Sequence, residues 1–377
     1  MKSIRARISL ICLLTLLPAG SLSSQQKRKV IIDEDAAGPG GTAMQAITLL
    51  VNSPLSDVLG ITVVTGDEWR DEEVAHTLRL LEILGRTGIP VVPGAVFPIA
   101  RTKEGTANWE KRYGKVPYQG AWNYGQPVHG PWEIPAVPEG KPTAKPATED
   151  AAHFLIRMVR RYPHQVTIYA AAPLTNLALA QAIDPQFAAL SRELVVMGGS
   201  IHPGTKDPEF VAAPHREFNF WMDPEAAHRA LRAPWSRITV TTVDISVKTR
   251  MTKDLIAQLA QSTNPAAQYA AKYAQEDYLW DELAALAWLD PAIVTRSTSL
   301  YMDVSTDHGA TYGDTLTWAS GQNPPTAEPL VDVQEDLDTA RFYREFIGLM
   351  TRSTPHSSTN RLSGPGAVAV REFLASY

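Results

Sequence analysis

Acidic side chains follow the first two strand-like segments of this sequence. Asp33 ends the apolar segment 29–33, Asp35 comes two residues later, and Asp67 follows the apolar segment 58–64. Side chains two residues apart in an extended chain point the same way, so Asp33 and Asp35 repel each other unless a cation or proton lies between them. A hard, oxygen-preferring ion such as Ca²⁺ or Mg²⁺ suits this pair. A helix N-cap beside a solvated acid is the alternative interpretation.

A second polar pair alternates with aromatic residues further along the chain. Glu217 and Asn219 are separated by Phe218, so an extended segment would present both polar side chains on one face. A carboxylate and an amide together suit sugar hydroxyls, which both donate and accept hydrogen bonds. The following Asp223 and Pro224 are typical of a helix cap and first helical residue, which is a structural role.

Two further segments combine small or acidic residues with the start of a helix. Residues 36–42 allow close backbone approach and lead into a helix whose free N–H groups suit an oxygen or anion, although a tight turn explains them equally well. Trp280 and Asp281 precede an apolar helix. Asp281 is either its N-cap or a metal ligand, and Trp280 is either a core residue or a stacking surface.

Apolar segments of strand length alternate with helical patterns along most of the chain. The predicted strands are 29–33, 58–64, 89–92, 166–171, 194–197, 240–243 (ending in acid at Asp244) and a final pair, 299–305 and 311–318. The predicted helices are 42–52, 72–84, 149–161, 175–182 and 281–289. This alternation indicates an α/β fold, an open and mostly parallel β-sheet flanked by helices. The acids that follow strands then lie at the carboxyl edge, where such sheets bind ligands.

The alternation is interrupted over residues 99–148, a stretch rich in Gly, Pro, Trp and Tyr. Loops of this length are uncommon in compact domains and often serve as lids or binding loops. We therefore predict an irregular insertion or lid. Its aromatic residues, among them Tyr118, Trp122 and Tyr124, either stack on a ring-shaped ligand or pin the loop to the domain.

The N-terminal residues 1–24 have the pattern of a signal peptide, with basic residues, a short apolar run and then small residues. An uncleaved anchor is the alternative. We expect a periplasmic or secreted protein in which residues 28–377 form a single domain. Cys12, the only cysteine, lies inside the apolar run, so removal of this segment excludes disulfides and thiolate chemistry.

The overall charge limits the classes of partner. A formal net charge of −5 over 377 residues gives no reason to expect binding to nucleic acid or to an anionic membrane. A metal cation and a neutral small molecule are easier to accommodate, and after signal cleavage no stable membrane insertion is expected. A homo-oligomer is compatible with this composition.

Taken in order, these segments resemble the inosine/uridine-preferring nucleoside hydrolase family. The resemblance runs from about Lys29 to Thr317, and the segments that carry it are 33–35, 59–66, 89–95, 173–178, 197–199, 217–219, 223–227, Asp281 and 312–313. Each motif is modest by itself, whereas the ordered set is specific. The resemblance implies a parallel α/β sheet and hydrolysis of the N-glycosidic bond of a ribonucleoside by metal-activated water.

The resemblance also implies a metal site. Asp35 would be the general base and a Ca²⁺ ligand, with Asp33 beside it. Asp281 would close the site from the far end of the chain, and the backbone carbonyl of Ala171 would be a further ligand. The family's first motif normally ends in two adjacent aspartates, but residues 38–42 contain no carboxylate. Metal binding should therefore be weaker, or use Thr42 or backbone oxygens.

On the substrate side, the resemblance implies that Glu217 and Asn219 hold the ribose hydroxyls. Asp67 stands where the family usually has an asparagine near the nucleoside. Trp280 replaces the histidine that can protonate a purine leaving group; it could stack on a base but cannot act as an acid, and losing a general acid costs roughly 10²–10⁴-fold in rate. His202, His129 and Asp67 are the candidates for this acid, and each is otherwise an ordinary polar residue.

The reshaped segments leave three functions open. Extra residues between Met197 and Glu217, together with residues 99–148, indicate an altered pocket. An exported ribonucleoside hydrolase is the interpretation we favour. A non-catalytic ribose- or nucleoside-binding protein and a hydrolase of a different glycoside are the alternatives, because fold does not fix function.

Overall fold

The strands of the chain form one mostly parallel sheet. The computed structural model describes residues 27–123, 128–322, 324 and 326–352, so the predicted signal peptide, Tyr124 and residues 353–377 lie outside the described residues. The strands are β1 Arg28–Glu34, β2 Ser56–Val63, β3 Val91–Pro93, β4 Val166–Ala171, β5 Glu193–Met197, β6 Ile238–Thr241, β7 Val294–Val304, β8 Thr315–Ala319 and β9 Leu330–Leu337. Their order across the sheet is β3-β2-β1-β4-β5-β6-β9-β7-β8.

Pairing directions confirm the predicted open sheet. The pairs from β3 across to β9 are parallel, whereas β7 runs antiparallel to both β9 and β8. From β1 the chain proceeds to β2 and β3 on one side, and then returns to place β4 on the other side of β1. The carboxyl ends of β1 and β4 therefore flank a topological switch point, where ligands bind in sheets of this kind.

Helices cover both faces of the sheet. They are α1 Thr42–Asn52, α2 Arg70–Ile83, α3 Lys103–Tyr113, α4 Ala151–Arg161, α5 Thr175–Ile183, α6 Phe187–Leu190, α7 Pro208–Ala212, α8 Phe218–Met222, α9 Pro224–Leu231, α10 Val243–Ser246, α11 Lys253–Ala260, α12 Pro265–Tyr273, α13 Trp280–Leu289 and α14 Thr339–Met350. Among the described residues, none of these helices has both the length and the apolar character needed to cross a membrane.

The alternation of side chains along β1 separates two hydrophobic cores. Val30 and Ile32 are fully buried in the core that also contains residues of α1, α13 and α14. Ile31 is fully buried in the other core, with residues of α4, α5 and α9. Since successive side chains of a strand point to opposite faces, Glu34 belongs to the face of β1 that α1 and α13 cover.

The insertion over residues 99–148 contains a helix that its sequence does not predict. Helix α3 begins after Thr102, whose side chain accepts the N–H of Gly105. Its last residue is Tyr113, and the following Gly114 caps it with a φ of 106°. Only Thr106 and Trp109 of this helix are buried, so it lacks the apolar periodicity that predicts an amphipathic helix. The prediction of a wholly irregular insertion is therefore wrong at this segment.

Aromatic residues of the insertion mainly pin it to the rest of the molecule. A separate buried cluster joins the insertion to residues from three other regions of the chain, and its members are Trp69, Trp109, Val116, Ala121, Trp122, Trp221, Met222 and Tyr312. Trp109 also donates its indole N–H to the carbonyl of Gly309, at 2.7 Å. Burial of large aromatic side chains explains why this stretch of the insertion is ordered.

The C-terminal part of the sheet differs from its prediction. The expected final strand pair is present as β7 and β8, which are antiparallel, but β9 lies between β6 and β7 and was not predicted. Asp244 does not end a strand either, because β6 ends at Thr241 and Asp244 lies in α10. Three successive polar residues, Gln334 to Asp336, interrupt the apolar pattern and obscured a strand that pairs on both edges.

Candidate functional site

A cavity of roughly 320 Å³ opens at the carboxyl end of the sheet. Its wall includes Asp35 after β1, Ala171 at the end of β4 and Met197 at the end of β5, together with Thr42 and Asp281 at the starts of α1 and α13. The cavity thus lies at the topological switch point. Its size is at the lower end of what small-molecule sites occupy.

Most of the site residues expected from the sequence share this cavity. The predicted residues that line it are Asp35, Asp67, Ala171, Glu217, Asn219, Trp280 and Asp281. Asp33 is the exception, because it is fully buried and is not part of the described wall. The roles of these residues remain predictions, whereas their common location is a property of the structure.

Asp35 is held by the loop that follows β2. Its Oδ2 accepts the backbone N–H of Asp67 at 3.1 Å. A Cβ added at Gly66 would lie 1.9 Å from the same Oδ2, so only glycine allows the loop to approach the carboxylate this closely. Burial and the neighbouring Asp67 carboxylate raise the pKa of Asp35 well above its ordinary value. A carboxyl group with a raised pKa is a better proton acceptor near neutral pH than an ordinary aspartate.

Asp33 lies on the face of β1 where Ile31 is buried, opposite the face that carries Glu34. Its Oδ1 accepts hydrogen bonds from the hydroxyl of Thr62 at 2.5 Å and from the amide of Asn176 at 2.8 Å. Burial raises the pKa of Asp33 to about 7. The Asn176 Oδ1 in turn accepts the N–H of Ala95 at 2.9 Å. Asp33 therefore links the carboxyl ends of β1 and β2 to the start of α5, and its role as a metal ligand stays a prediction.

Asn219 lies in the short helix α8, and Glu217 is the extended N-cap residue before it, so the predicted extended segment is wrong beyond Glu217. Glu217 is the N-cap of α8, and its carboxylate accepts the N–H groups of Asn219 at 2.7 Å and of Phe220 at 3.1 Å. A third N–H, from Gly199, reaches Glu217 Oε2 at 2.9 Å. Side-chain capping of a helix N-terminus competes with extended geometry, and alternation alone does not reveal it. Burial raises the pKa of Glu217 to about 7.

Asp67 and Tyr118 form a hydrogen-bonded pair in the wall of the cavity. The Tyr118 hydroxyl donates to Asp67 Oδ1 at 2.6 Å. Burial raises the pKa of Asp67 to about 6, although the Tyr118 hydrogen bond acts in the opposite direction. Of the three candidate acids, only Asp67 belongs to the described wall, because His202 is exposed and His129 contacts Glu72 elsewhere.

The N-termini of α1 and α13 meet at Thr42. Its hydroxyl donates to the carboxylate of Glu282 and accepts the backbone N–H of Asp281 at 3.1 Å. The carbonyl of Asp281 accepts the hydroxyl of Tyr169 at 2.8 Å. Thr42 thus links two helix starts, whose positive dipole ends favour the nearby carboxylates.

An aromatic wall borders the same cavity, and the sequence predicted only one of its members. Trp280 lies 4.8 Å from Tyr278 and 5.8 Å from Phe210, measured between ring centroids. Phe210 comes from α7, within the extra residues between Met197 and Glu217. Phe210 lies in a five-residue helix and Tyr278 in an irregular segment, where apolar periodicity gives no signal.

The charge on the cavity wall is of one sign. Within the described part of the chain, no Lys, Arg or His lines it, and its acidic residues are Asp35, Asp67, Asp207, Glu209, Glu217, Asp277 and Asp281. Buried carboxylates without a basic partner repel one another unless a cation or protons compensate them. The donor chemistry of this wall is therefore that of a hard, oxygen-liganded cation such as Ca²⁺.

Glu34 and Glu282 add buried carboxylates beside this wall. Glu34 is fully buried, and among the described residues neither of its carboxylate oxygens has a hydrogen-bond partner. Burial and the nearby Asp281 raise its pKa well above the ordinary value. Glu282 has one such unpartnered oxygen, and burial raises its pKa to about 8. These unpartnered oxygens fit a site that a cation completes. Thr42, whose hydroxyl donates to Glu282, lies in the segment where the family's aspartate pair is missing.

The ligand atoms of the predicted metal set do not converge on a single point. Within the described residues, one group of three acidic or histidine side chains has all its ligand atoms within 4.8 Å of one another, and it consists of Glu68, Glu72 and His129. Asp33, Asp35 and Asp281 do not reach this spacing. The Glu68 group was not predicted, because it depends on how the insertion returns to α2.

The fold and the cavity define an α/β protein with a polar ligand site at the strand carboxyl ends, and comparison with known proteins identifies its family. Residues 30–344 match the family model described as inosine-uridine preferring nucleoside hydrolase. Probable uridine nucleosidase 2 of Arabidopsis thaliana is 33% identical over 65% of this chain and 68% of its own. The pyrimidine-specific ribonucleoside hydrolase RihA of Salmonella newport is 28% identical over 78% and 91%.

Solved structures agree with this match. The plant nucleoside hydrolase PpNRh1 has a TM-score of 0.70 and 25% sequence identity, covering 87% of this chain and 100% of that one. The chain belongs to the inosine-uridine preferring nucleoside hydrolase family. It is accordingly an N-glycosidase that cleaves ribonucleosides into base and ribose, as the sequence resemblance predicted.

Proposed function

We propose that the cavity hydrolyses ribonucleosides in a calcium-dependent reaction in which Asp35 is the general base. The observation that carries this proposal is that Asp35, Asp281, Glu217 and Asn219 line one cavity although they are distant in sequence. The names of the relatives make uridine and inosine the substrates to test first.

Asp35, Asp281 and the backbone carbonyl of Ala171 would hold the calcium ion. All three provide oxygen donors to the same cavity. Calcium bound there would make a water molecule easier to deprotonate and would position it. The missing aspartate pair leaves fewer ligands than the 6–8 oxygens that Ca²⁺ usually takes, so we expect weaker binding than in relatives with the full motif.

Asp35 is suited to receive the proton of the attacking water. Its Oδ2 is fixed by the N–H of Asp67, which orients the carboxylate without neutralising it. The raised pKa of Asp35 increases its proton affinity in the free site. Positioning and matched basicity of this kind typically contribute about 10²–10⁴-fold to a rate.

Glu217 and Asn219 have unused capacity for ribose hydroxyls. A carboxylate has about four lone-pair positions. The Glu217 carboxylate accepts three backbone N–H groups, which leaves it one acceptor position. Asn219 donates one N–H to the carbonyl of Met197 at 3.1 Å. The same nitrogen makes a weaker contact with Met197 Sδ at 3.5 Å. The carbonyl oxygen of Asn219 remains to accept a hydrogen bond from a ribose hydroxyl.

The base of the nucleoside would contact the aromatic wall of Phe210, Tyr278 and Trp280. Asp67, whose pKa is raised to about 6, is protonated in a useful fraction of molecules near neutral pH. We therefore assign to Asp67, with Tyr118 as its hydrogen-bond donor, the task of assisting the departing base in place of the missing histidine. Asp67 and the three aromatic rings line the same cavity, so a polar group is available to a base that contacts the rings.

The N-terminal sequence pattern supports a proposal for the cellular location. Residues 1–24 carry the signal-peptide features described above, so we propose that the enzyme is exported and acts on nucleosides outside the cytoplasm. Fractionation of cells that express the full chain should recover the activity outside the cytoplasm, in a form shortened at its N-terminus. Activity retained in the cytoplasm with an intact N-terminus would reject this proposal.

The deciding experiment measures base release from uridine and inosine by the purified protein, after chelation and then with added Ca²⁺. We expect calcium-dependent release of free base and free ribose. The same samples should bind Ca²⁺ in a calorimetric titration. If the protein binds nucleoside with Ca²⁺ present but releases no base from either substrate, a binding function replaces the hydrolytic one.

A further inference from the structure

A second cluster of ionisable side chains lies around the first half of α2, outside the wall of the cavity. We call it the histidine cluster, and its members are Glu68, Glu72, His76, His129 and Glu139. None of them is among the residues that line the cavity. The cluster joins the start of α2 to the returning end of the insertion, and the proposed reaction makes no use of it.

Three members of this cluster have the spacing of metal ligands. The Nε2 of His129 lies 2.7 Å from Glu72 Oε2 and 3.7 Å from Glu68 Oε2. One ligand atom from each residue lies within 4.8 Å of the other two. The side chains of Glu68, Glu72 and His129 are 9%, 11% and 12% exposed, so the site is largely shielded while an ion can still reach it.

The surroundings of His129 orient it as a ligand. Its Nδ1 lies 3.0 Å from the carbonyl of Gly130, and an N–H at Nδ1 that donates to this carbonyl leaves the lone pair on Nε2. Metal-binding histidines almost always donate their other ring N–H in this way. The backbone carbonyl of His129 accepts the indole N–H of Trp69 at 2.9 Å, which fixes the position of the residue.

His76 contacts some of the carboxylate oxygens of this region, and others have no partner. His76 Nδ1 lies 2.6 Å from Glu139 Oε1, and His76 Nε2 lies 3.7 Å from Glu72 Oε1. Glu139 Oε2 and the neighbouring Glu73 Oε2 are buried with no partner among the described residues. The cluster therefore contains more buried carboxylate oxygens than its two imidazoles satisfy.

We propose that Glu68, Glu72 and His129 bind a divalent metal ion of the zinc class, separate from the calcium of the cavity. One imidazole nitrogen and two carboxylate oxygens are ligands that Zn²⁺ accepts, and a water molecule can occupy the fourth position. The bound ion fastens the insertion to α2, and its ligand Glu68 directly follows Asp67 in the chain. Its role is structural, because it does not contact the cavity.

The test is a calorimetric titration of the metal-free full chain with Zn²⁺, in the presence of saturating Ca²⁺ to occupy the cavity. We expect one equivalent of Zn²⁺ to bind. The His129→Ala substitution should weaken this binding by more than the about 10–100-fold that loss of an outer partner costs. The matched control is His153→Ala, because His153 is exposed and its side chain pairs with Asp150, outside the histidine cluster. Equal Zn²⁺ binding by His129→Ala and the control would overturn the proposal.

A second measurement keeps the proposal testable if His129→Ala disturbs the insertion. Glu72→Gln retains the shape of the side chain and its hydrogen bonding, yet should reduce Zn²⁺ affinity. Limited proteolysis of the insertion should slow when Zn²⁺ binds the wild-type protein but not Glu72→Gln. Unchanged Zn²⁺ affinity in Glu72→Gln, with circular dichroism like that of the wild type, would count against the site. Neither result depends on nucleoside hydrolysis.

Discussion

Two buried acidic regions lie close together at the carboxyl end of the sheet, and they are compensated in different ways. In the histidine cluster, His76 and His129 lie 2.6–2.7 Å from carboxylates. In the cavity, the described wall contains seven acidic residues and no basic one. The first region carries part of its own counter-charge, whereas the second depends on protons or a ligand. We expect the first to act mainly on stability and the second mainly on binding and catalysis.

The largest expected effect is the loss of catalysis in Asp35→Asn. An amide cannot accept the proton of the attacking water, so kcat/KM for uridine should fall by about 10²–10⁴-fold. The free energy of unfolding should change little, because the Oδ atom that accepts the Asp67 N–H can be kept. Steady-state kinetics with saturating Ca²⁺ provide the measurement.

A matched control for Asp35→Asn is Asp57→Asn, at the opposite end of the sheet. Asp57 pairs with Lys29 at 3.2 Å and its side chain is 45% exposed. Its substitution should leave kcat/KM at the wild-type value. If Asp35→Asn retained wild-type kcat/KM, another group in the cavity would have to be the base.

The next effect concerns the pH dependence of stability in the histidine cluster. Burial lowers the pKa of His76, but its hydrogen bonds with Glu139 and Glu72 outweigh burial and raise it to about 9, from 6.5. A raised histidine pKa stabilises the folded state fully below pH 6.5, and this contribution is lost as the pH rises through about 9. Its size is on the order of 3 kcal/mol.

Urea unfolding of the metal-free protein at pH 6 and pH 9.5 measures this contribution. The wild type should lose about 3 kcal/mol more than His76→Gln over this interval. The exposed His153 provides a control, since His153→Gln should follow the wild type. Equal losses in the wild type and His76→Gln would mean that His76 is not charged in the folded protein.

A smaller effect separates the cavity from the histidine cluster. Glu34 has two buried carboxylate oxygens without a partner and lies on the face of β1 that α1 and α13 cover. Glu34→Gln should weaken Ca²⁺ binding by about 10–100-fold, the range for residues next to metal ligands, and should leave Zn²⁺ binding unchanged. Calorimetric titration with each ion measures both effects.

The control for Glu34→Gln is Glu193→Gln, at the start of β5 and thus at the other end of the sheet. It should bind Ca²⁺ with wild-type affinity. The calcium-free Glu34→Gln protein should unfold no more easily than the wild type, because the substitution removes a buried ionisable carboxyl group that has no hydrogen-bond partner among the described residues. Wild-type Ca²⁺ affinity in Glu34→Gln would show that Glu34 does not support the cation.

The parts of the site that the sequence predicted are those that a parallel sheet places by itself. Asp35, Asp67 and Ala171 follow or end strands, and the carboxyl ends of parallel strands meet at one edge. Strand identity was readable from continuous apolar segments. Asp281 was added through the resemblance to the nucleoside hydrolase family, because its place before an apolar helix left a helix cap as the alternative. The strand ends and this resemblance together predicted that residues about 250 positions apart in the sequence share one cavity.

The parts that the sequence did not predict depend on the paths of loops and on side chains that bond to the backbone. Glu217 caps α8 instead of lying in an extended segment, because its carboxylate accepts nearby N–H groups. Phe210 and Tyr278 reach the cavity from short, irregular segments. Glu72 and His129 meet only because the insertion returns to α2. No periodicity specifies any of these contacts.

The smallest predicted effect concerns the aromatic wall of the cavity, whose side chains belong to neither set of acidic residues. Trp280→Ala should raise KM for uridine by about 10-fold with little change in kcat, because an aromatic contact contributes about 0.5–1.5 kcal/mol beyond its buried area. Trp280→Phe should recover most of the affinity. The control is Trp132→Ala, since Trp132 is 65% exposed and lies outside the cavity wall. A fall in kcat with unchanged KM would instead mean that Trp280 orients the neighbouring Asp281, and the wall would then belong to the cation site.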